Sequence, residues 1–397
     1  MAAEQGGTAC SLTLPPENIP AGAVKMKIFG AFALLLAASL GAQSAPASAE
    51  EEEKVIRIWN WSDYIAPYTI VNFEQETGIR ITYDLYDSNE VLDEKVMKGN
   101  SGYDLVVPAQ DFLARQIKAG AYRKLNRDNI PNWKNLDPSQ MRLLEAVDPG
   151  NEHSIPYGIG TTGIGYNAGK FEEIFGPGAK PDSWDYFFRS ENMKRLSGCG
   201  VAVLNSPTDI IAIALHYLGI STDAPGIGDL RKAEKLLQGV RPYIKYFHSS
   251  DYINDLAGGE ICMAVGWSGD ILQAAERAED SASKMRIGYI IPKEGAMLFY
   301  DMMAIPADAR HPRNAEKFMN YLLRPEIMAS ISSYVHYFNA VPESRRLVSS
   351  EVRDNPNIFL PDELLRKMFL MGPLPPETSA ELGRIWKRIR SAGGAPE

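Results

Sequence analysis

The amino-acid sequence predicts an α/β fold with two lobes. From residue 54 to residue 108, the apolar and polar residues follow patterns typical of strand, helix, strand, helix and strand, an order that predicts a mainly parallel sheet flanked by helices. The chain has 397 residues, of which 45% are hydrophobic, so it can form more than one core. A second strand that ends in Trp and Asp, as the first one does, comes much later in the chain and predicts a second lobe.

The first strand begins near Val55 and ends in an unusual group of side chains. Its apolar residues lead directly into Trp61, Ser62 and Asp63, which would be a poor end for a purely structural strand. Ligands of open α/β sheets lie beyond the carboxyl ends of strands. These three residues therefore predict one half of a binding site.

The remaining elements of the first lobe follow from helix and strand signals. They are a helix over 69–77 that ends at Gly78, a strand over 79–85, a helix over 89–98 capped by Ser88 and a buried strand over 103–108.

The segment 158–167 contains the pattern GxGxxG at Gly158, Gly160 and Gly163. A dinucleotide site requires this pattern to follow a strand and open a helix. Here the glycines run into the strand-like residues 164–167 instead. We interpret the segment as an extended crossover between the lobes, whose glycines permit a bend or close passage to other backbone.

The second lobe is predicted to be mostly helical up to a strand over 260–267. Trp267 and Asp270 follow the end of that strand and form the other half of the site. The apolar strand over 297–305 contains Phe299 and is interrupted by Asp301. A buried carboxylate without a partner costs several kcal/mol, so a bound cation is the predicted partner of Asp301.

Helices over 314–323 and about 326–333 lead to Tyr337, and residues 346–397 are predicted to form a C-terminal helical tail. Each site residue also has a structural interpretation. Trp61, Trp267, Phe299 and Tyr337 could be core residues, and Asp63, Asp209 and Asp270 could cap helices or turns.

The N-terminus has the pattern of a secretory signal. Lys25 and Lys27 precede an apolar run over 28–43, which is followed by Ala47-Ser48-Ala49. We expect residues 1–49 to be a leader and signal peptide cleaved after Ala49; Met26 is a candidate for the true start. The mature protein would then be soluble and exported.

Charge and histidine content exclude several classes of partner. The net charge of -9 and the lack of clustered Lys and Arg argue against nucleic acid. The five histidines are scattered, and no nucleophile elbow is present, so we expect no metal, no cofactor and no enzyme. An exported hydrolase that uses Asp63 and Asp270 as acid and base is the alternative from another class; the aromatic residue beside each acid disfavours it.

Cys199 and Cys262 remain once Cys10 is lost with the leader. Two thiols in an oxidising compartment usually pair, which predicts a disulfide. The alternative is two separately buried thiols.

Several motifs together resemble one protein family. They are Asn60-Trp61-Ser62-Asp63-Tyr64-Ile65, residues 73–78, residues 103–108, residues 161–167, residues 246–250 and residues 292–296. These motifs resemble the periplasmic polyamine-binding proteins of ABC transporters, in particular the putrescine-binding ones, over nearly all of residues 54–390.

The resemblance implies a hinged two-lobe periplasmic-binding-protein fold of type II. The first lobe would comprise residues 50–157 and about 299–345, and the second about 158–298. It also implies a monomer that captures a polyamine in the periplasm, performs no chemistry on it and delivers it to an inner-membrane ABC permease with its ATPase. Putrescine is the expected ligand, with spermidine or another amine as the alternative.

The resemblance also implies which residues bind the ligand. The set is Trp61, Ser62, Asp63, Asp209, Trp267, Asp270, Phe299, Asp301 and Tyr337. Asp209 is shorter than the usual Glu, and Ala109 stands where relatives carry Ser or Tyr, which leaves the choice between putrescine and spermidine open. We expect one ammonium group at Asp301 with Ser62 and Asp63, and the other at Asp270 with Asp209.

Overall fold

The computed structural model describes residues 52–281 and 284–392. The predicted leader and signal peptide lie outside the described residues. In the described part of the chain, no helix is both long enough and apolar enough to cross a membrane.

The strands are β1 (Val55–Trp61), β2 (Arg80–Tyr86), β3 (Leu105–Val106), β4 (Ser154–Asn167), β5 (Val201–Val203), β6 (Tyr246–Phe247), β7 (Met263–Trp267), β8 (Ile287–Ile290) and β9 (Met297–Ala304). The helices are α1 (Pro67–Thr77), α2 (Asn89–Met97), α3 (Gln110–Lys118), α4 (Pro138–Leu144), α5 (Ala168–Phe175), α6 (Asp185–Phe188), α7 (Ser190–Leu196), α8 (Pro207–Tyr217), α9 (Ile227–Val240), α10 (Asp251–Gly258), α11 (Ser268–Asp280), α12 (Pro312–Leu322), α13 (Pro325–Val335), α14 (Ser350–Arg353), α15 (Asp362–Leu365) and α16 (Pro376–Ser391).

Local signals in the sequence set the ends of the first two helices. α1 starts with Pro67, whose missing N–H costs nothing in the first turn, and ends at Gly78 with a left-handed φ of 70°. α2 is capped by Ser88, whose side chain accepts a hydrogen bond from the backbone N–H of Val91. Both α1 and α2 therefore lie where the sequence predicted a helix, within two residues at each end.

The strands form a sheet in the order β2-β1-β3-β9-β4-β7-β5-β6, with β8 paired to β4. The outer pairs β1–β2, β1–β3, β5–β6 and β5–β7 are parallel, as predicted for each lobe. The long strands β4 and β9 pair with each other and with β3 and β7 in antiparallel orientation. The sheet is therefore mixed, because the strands that connect the two lobes run against their neighbours.

The buried apolar residues divide into two main clusters. The first core extends from Ile56 to Ile159 and from Leu298 to Val341. The second core extends from Ile164 to Met297 and includes residues 371–389. We call the parts of the chain around these cores the first and second lobes. The predicted C-terminal tail is part of this packing, since α16 contributes side chains to the second core.

Cys199 and Cys262 form a disulfide, as predicted, with their Cα atoms 5.6 Å apart. The bond lies in the second lobe and connects the segment after α7 to the residue before β7. Closing a loop with a sequence separation of 63 residues stabilises a fold by about 3–4 kcal/mol on the chain-entropy model. The disulfide therefore supports the strand that carries Trp267.

Candidate ligand-binding site

A cavity lies between the two lobes, beyond the carboxyl ends of β1 and β7. It is lined by all of the predicted ligand-binding residues except Asp63. The lining residues are Trp61, Ser62, Tyr64, Asp87, Asn89, Ala109, Asp111, Thr208, Asp209, Ser249, Trp267, Asp270, Met297, Phe299, Asp301 and Tyr337. We call this space the first cavity.

The two tryptophans occupy equivalent places, because each is the last residue of its strand. Their rings meet edge to face, with centroids 5.5 Å apart. The indole N–H of Trp61 donates to the carbonyl oxygen of Val107 at 3.0 Å, and that of Trp267 donates to Oδ1 of Asp209 at 3.2 Å. These bonds fix both rings at the wall of the first cavity.

Trp267, Phe299 and Tyr337 form a row of rings along the first cavity. The centroid distance is 6.5 Å between Trp267 and Phe299, and 6.0 Å between Phe299 and Tyr337. Phe299 and Asp301 share one face of β9, because side chains two residues apart in a strand point the same way. The row therefore gives the first cavity an apolar wall with acids at its ends.

The GxGxxG segment lies in β4 and makes room for these rings. A Cβ atom at Gly160 would lie 2.5 Å from Cζ of Phe299 and 2.6 Å from Cε1 of Tyr337, and one at Gly158 would lie 2.1 Å from Oη of Tyr64. The prediction of an extended crossover is confirmed. Gly158 and Gly160 permit a close approach of aromatic side chains, and Gly163 permits one of the Tyr289 ring and of the Ile290 carbonyl oxygen.

Asp270 and Asp301 lie at one end of the row, which we call the tyrosine end. Tyr64 donates to Oδ2 of Asp301 at 2.7 Å, and Tyr337 donates to Oδ1 of Asp270 at 2.8 Å. The two tyrosine rings pack edge to face at 5.0 Å. Asp270 accepts a further hydrogen bond from Tyr252 at 2.8 Å.

Burial raises the pKa of Asp270 to about 7 and the pKa of Asp301 to about 8. The hydrogen bonds from the tyrosines oppose this rise, and neighbouring carboxylates, Asp209 first among them for Asp301, add to it. A positively charged partner therefore favours the ionised form of both buried acids.

Asp209 lies at the opposite end of the row, which we call the tryptophan end. Its Oδ1 accepts hydrogen bonds from Trp267 and from Oγ1 of Thr162, the latter at 2.6 Å, and its Oδ2 accepts one from Ser206. Burial raises the pKa of Asp209 despite these bonds. Asp209 is bonded to Trp267 and Asp270 to Tyr337, so the expected grouping of Asp270 with Asp209 around one ammonium stays a prediction.

Comparisons with known proteins identify the family. Residues 69–360 match the model of the bacterial extracellular solute-binding proteins. The chain belongs to this family. It is 49% identical to the putrescine-binding periplasmic protein SpuD of Pseudomonas aeruginosa, over 92% of this chain and 99% of the relative. It is 46% identical to the putrescine-binding periplasmic protein PotF of Escherichia coli, over 90% of this chain and 95% of the relative.

A solved structure supports the same fold. A Listeria monocytogenes protein assigned to spermidine/putrescine ABC transport has 28% sequence identity and a TM-score of 0.76, over 85% of this chain and 99% of that one. The predicted fold class of this solute-binding protein is confirmed.

Asp63 is the one predicted ligand-binding residue of this solute-binding protein that lies outside the lining of the first cavity. Its carboxylate pairs with the Arg277 guanidinium at 2.8 Å, and its carbonyl oxygen accepts a hydrogen bond from Gln273 at 3.4 Å. Oγ of the adjacent Ser62 lies 3.0 Å from Oγ of Ser250. Asp63 therefore connects the first lobe to α11 of the second lobe, outside the lining of the first cavity.

Several lining residues were missed from the sequence. Tyr64 directly follows the predicted half-site, and Asp111 follows the end of β3, so the strand-end rule could have found both. Ser249 follows β6 by two residues; its hydroxyl is buried and has no hydrogen-bond partner within the described residues. An unpaired buried hydroxyl at a cavity wall is available to a ligand.

Proposed function

We propose that this chain is a periplasmic solute-binding protein that captures putrescine and delivers it to an inner-membrane ABC permease with its ATPase. The observation that carries the proposal is the first cavity, where buried acids lie at both ends of a row of aromatic rings. Among its described lining residues none is Lys or Arg. Two close relatives are putrescine-binding proteins, and a diammonium matches this arrangement.

The proposal gives each group in the first cavity a role. One ammonium lies at the tyrosine end, where Asp270 and Asp301 replace the water that it loses. The other lies at the tryptophan end beside Asp209. The methylenes pack against the ring row, where burial stabilises binding by about 0.8 kcal/mol per methylene, and attraction of the cations to the ring faces adds on the order of 1–2 kcal/mol.

Binding is coupled to closure of the lobes. Tyr337 of the first lobe donates to Asp270 of the second, and the Asp63–Arg277 and Ser62–Ser250 contacts join the lobes beside the first cavity. A ligand that contacts both lobes favours the closed form. The permease can then distinguish loaded from empty protein by its surface. We further propose export through a cleaved signal peptide and a monomeric mature protein.

Isothermal titration with a set of amines tests the proposal. Putrescine should bind with one molecule per chain and be recovered unchanged. 1-Aminobutane, which has the same carbon chain and one ammonium, should bind at least a hundredfold more weakly, because it leaves one end of the first cavity without a cation. Equal affinity for the two amines, or no heat with putrescine, would contradict the proposal.

A further inference from the structure

A second cavity lies behind β4 and β9, on the face of these strands opposite to the first cavity. Side chains alternate along a strand, so Met297, Phe299 and Asp301 of β9 line the first cavity, while Leu298 and Tyr300 line the second one. The other walls come from α4, from β4 and from the part of the chain that follows α13. The two cavities therefore share the strands that connect the lobes, and no residue lines both.

The inner wall of the second cavity is apolar and buried. Ile159, Leu298, Ile358 and Phe359 supply it, and none of them is more than 8% exposed. Leu365 is 45% exposed and Arg345 is also exposed, so these two residues lie at the mouth. A concave apolar wall with a few polar groups is the usual form of a small-molecule site.

Arg345 is the one charged residue among the described residues that line the second cavity. Its guanidinium carbon lies 4.4 Å from the centroid of the Phe359 ring, and its Nη2 donates to the carbonyl oxygen of Arg353 at 3.3 Å. A guanidinium has five donors in a rigid fork, so most of them stay available. The side-chain amide of Asn357, on the same lining, makes no hydrogen bond within the described residues.

No carboxylate of the described residues forms an ion pair with Arg345. The two acids closest to it in this segment pair with other arginines, Glu343 with Arg346 and Asp354 with Arg353. A guanidinium that is stacked on a ring and lacks an acid is a ready partner for the carboxylate of a ligand. The charge of the second cavity therefore favours an anion, whereas the acids of the first cavity favour a cation.

The second cavity is connected to the first one through the backbone. Tyr300 directly precedes Asp301, and Phe338 directly follows Tyr337, which donates to Asp270. The backbone N–H of Ile159 in β4 donates to the carbonyl oxygen of Phe338 at 2.8 Å. A molecule packed against Tyr300 and Phe338 therefore restrains the backbone that positions two side chains of the first cavity.

We propose that the second cavity binds a small aromatic monocarboxylate and that its occupation strengthens amine binding in the first cavity. The ring of the acid packs against the apolar inner wall, and its carboxylate accepts hydrogen bonds from Arg345 and Asn357. Because the lobes are joined in this structure, an acid that fits this cavity favours the closed form. Only the coupling rests on the proposed amine-binding function, since the acid site has its own walls and charge.

Calorimetry with 3-phenylpropanoate on the intact, amine-free protein at neutral pH tests the site. One molecule should bind per chain, and Arg345→Gln should bind it at least tenfold more weakly, because a charge-assisted contact is lost. The uncharged 3-phenylpropan-1-ol should show the same loss with the original protein. The matched control is Arg346→Gln, which removes the same charge from an exposed neighbour that pairs with Glu343 and lies outside the lining. Its affinity for the acid should be unchanged.

Titration of putrescine with and without saturating 3-phenylpropanoate tests the coupling. The acid should raise putrescine affinity about fivefold, and Arg345→Gln should abolish this gain while its putrescine affinity without acid stays within about twofold of the original.

Three results would overturn the acid site: no binding of the acid, equal binding by Arg345→Gln, or displacement of the acid by putrescine. Unchanged putrescine affinity in the presence of bound acid would overturn the coupling. If the protein binds the acid through Arg345 but does not bind putrescine, the acid site is supported and the proposed function fails.

Discussion

The acids of the tyrosine end show how one residue can serve binding at the expense of stability. Asp301 is 5% exposed, lies in an apolar strand and receives a hydrogen bond from Tyr64. Its surroundings would suit a neutral side chain better than a carboxylate. The position therefore makes physical sense when a cation fills the first cavity.

The substitution Asp301→Asn should change binding and stability in opposite directions. Putrescine affinity should fall at least a hundredfold, which corresponds to about 3 kcal/mol, because one ammonium loses its carboxylate. The amine-free protein should be at least as stable at pH 8, because the amide needs no ionisation and still accepts the Tyr64 hydrogen bond. Titration calorimetry and thermal unfolding measure the two effects. Asp84→Asn at an exposed pair with Arg57 is the control and should leave both unchanged.

The raised pKa values predict how pH affects the protein. Asp270 and Asp301 titrate at about 7 and 8 in the fold, above the ordinary value of 3.8. Between these values the folded amine-free protein holds more protons than the unfolded chain, so these two groups lower its stability as pH rises from about 4 to 8. Putrescine binds the ionised acids, and the pairing of its ammonium groups with them offsets this loss of stability.

The increase in unfolding temperature produced by saturating putrescine should therefore grow from pH 5 to pH 8. Thermal unfolding with and without the amine at each pH unit measures it. In Asp301→Asn the growth should be smaller, since only Asp270 then titrates at the tyrosine end. An increase that stays constant, or that declines with rising pH, would show that these acids do not ionise on binding.

The sequence predicted those residues of the cavity lining whose signal is local. Trp61 and Trp267 end strands, and Asp301 is conspicuous within an apolar run, so position alone identified them. Asp63 has the same local pattern, yet its carboxylate pairs with Arg277, which is 214 positions away in the chain. No local pattern indicates which of two adjacent polar residues will face the cavity.

At the scale of the elements, β4 and β9 determine how the first cavity is built. The sequence predicted both as extended segments, and their antiparallel pairing is visible only once both lobes are assembled. Two glycines of β4, Gly158 and Gly160, face aromatic rings that come from three other parts of the chain. The positions of Gly158 and Gly160 therefore reflect packing against Tyr64, Phe299 and Tyr337 rather than dinucleotide binding.

The substitution Gly160→Ala should disturb the ring row. The new methyl group would lie within 2.7 Å of ring atoms of Phe299 and Tyr337. Overpacking of this kind typically costs about 1–3 kcal/mol of folding free energy, and displaced rings should reduce putrescine affinity about tenfold. Denaturant unfolding and calorimetry measure both changes.

Gly228→Ala is the matched control for that substitution. Gly228 lies in α9, where an added methyl group would have no packing neighbour within 4 Å, and Ala is favoured over Gly in a helix. The control should be as stable as the original protein or more so, with unchanged affinity. If Gly160→Ala behaves in the same way, the ring row tolerates displacement and the explanation of the β4 glycines is wrong.

At the scale of the whole molecule, each core belongs to one lobe, and polar contacts join the two lobes around the first cavity. The sequence predicted the two lobes from strand order and length, but the pairs that join them depend on residues far apart in the chain. The joining pairs include Asp63–Arg277, Ser62–Ser250, His336–Glu276 and Tyr337–Asp270. The first three pairs can form and break without disturbing either core, whereas Tyr337 is itself part of the first core.

The Asp63–Arg277 pair should stabilise the closed form of the protein and so slow ligand release. Its side chains are 35% and 34% exposed, and pairs at this exposure contribute about 0.2–1 kcal/mol. Asp63→Asn and Arg277→Gln should each weaken putrescine binding up to about fivefold, mainly through faster dissociation. The double variant should bind no more weakly than either single one, because both remove the same contact.

Stopped-flow dissociation rates of the original protein, the two single variants and the double variant measure the coupling. The Glu172–Arg286 pair inside the second lobe is the control. Strictly additive effects at Asp63 and Arg277 would show that the two residues act independently and that closure relies on the ligand and the buried Tyr337–Asp270 contact.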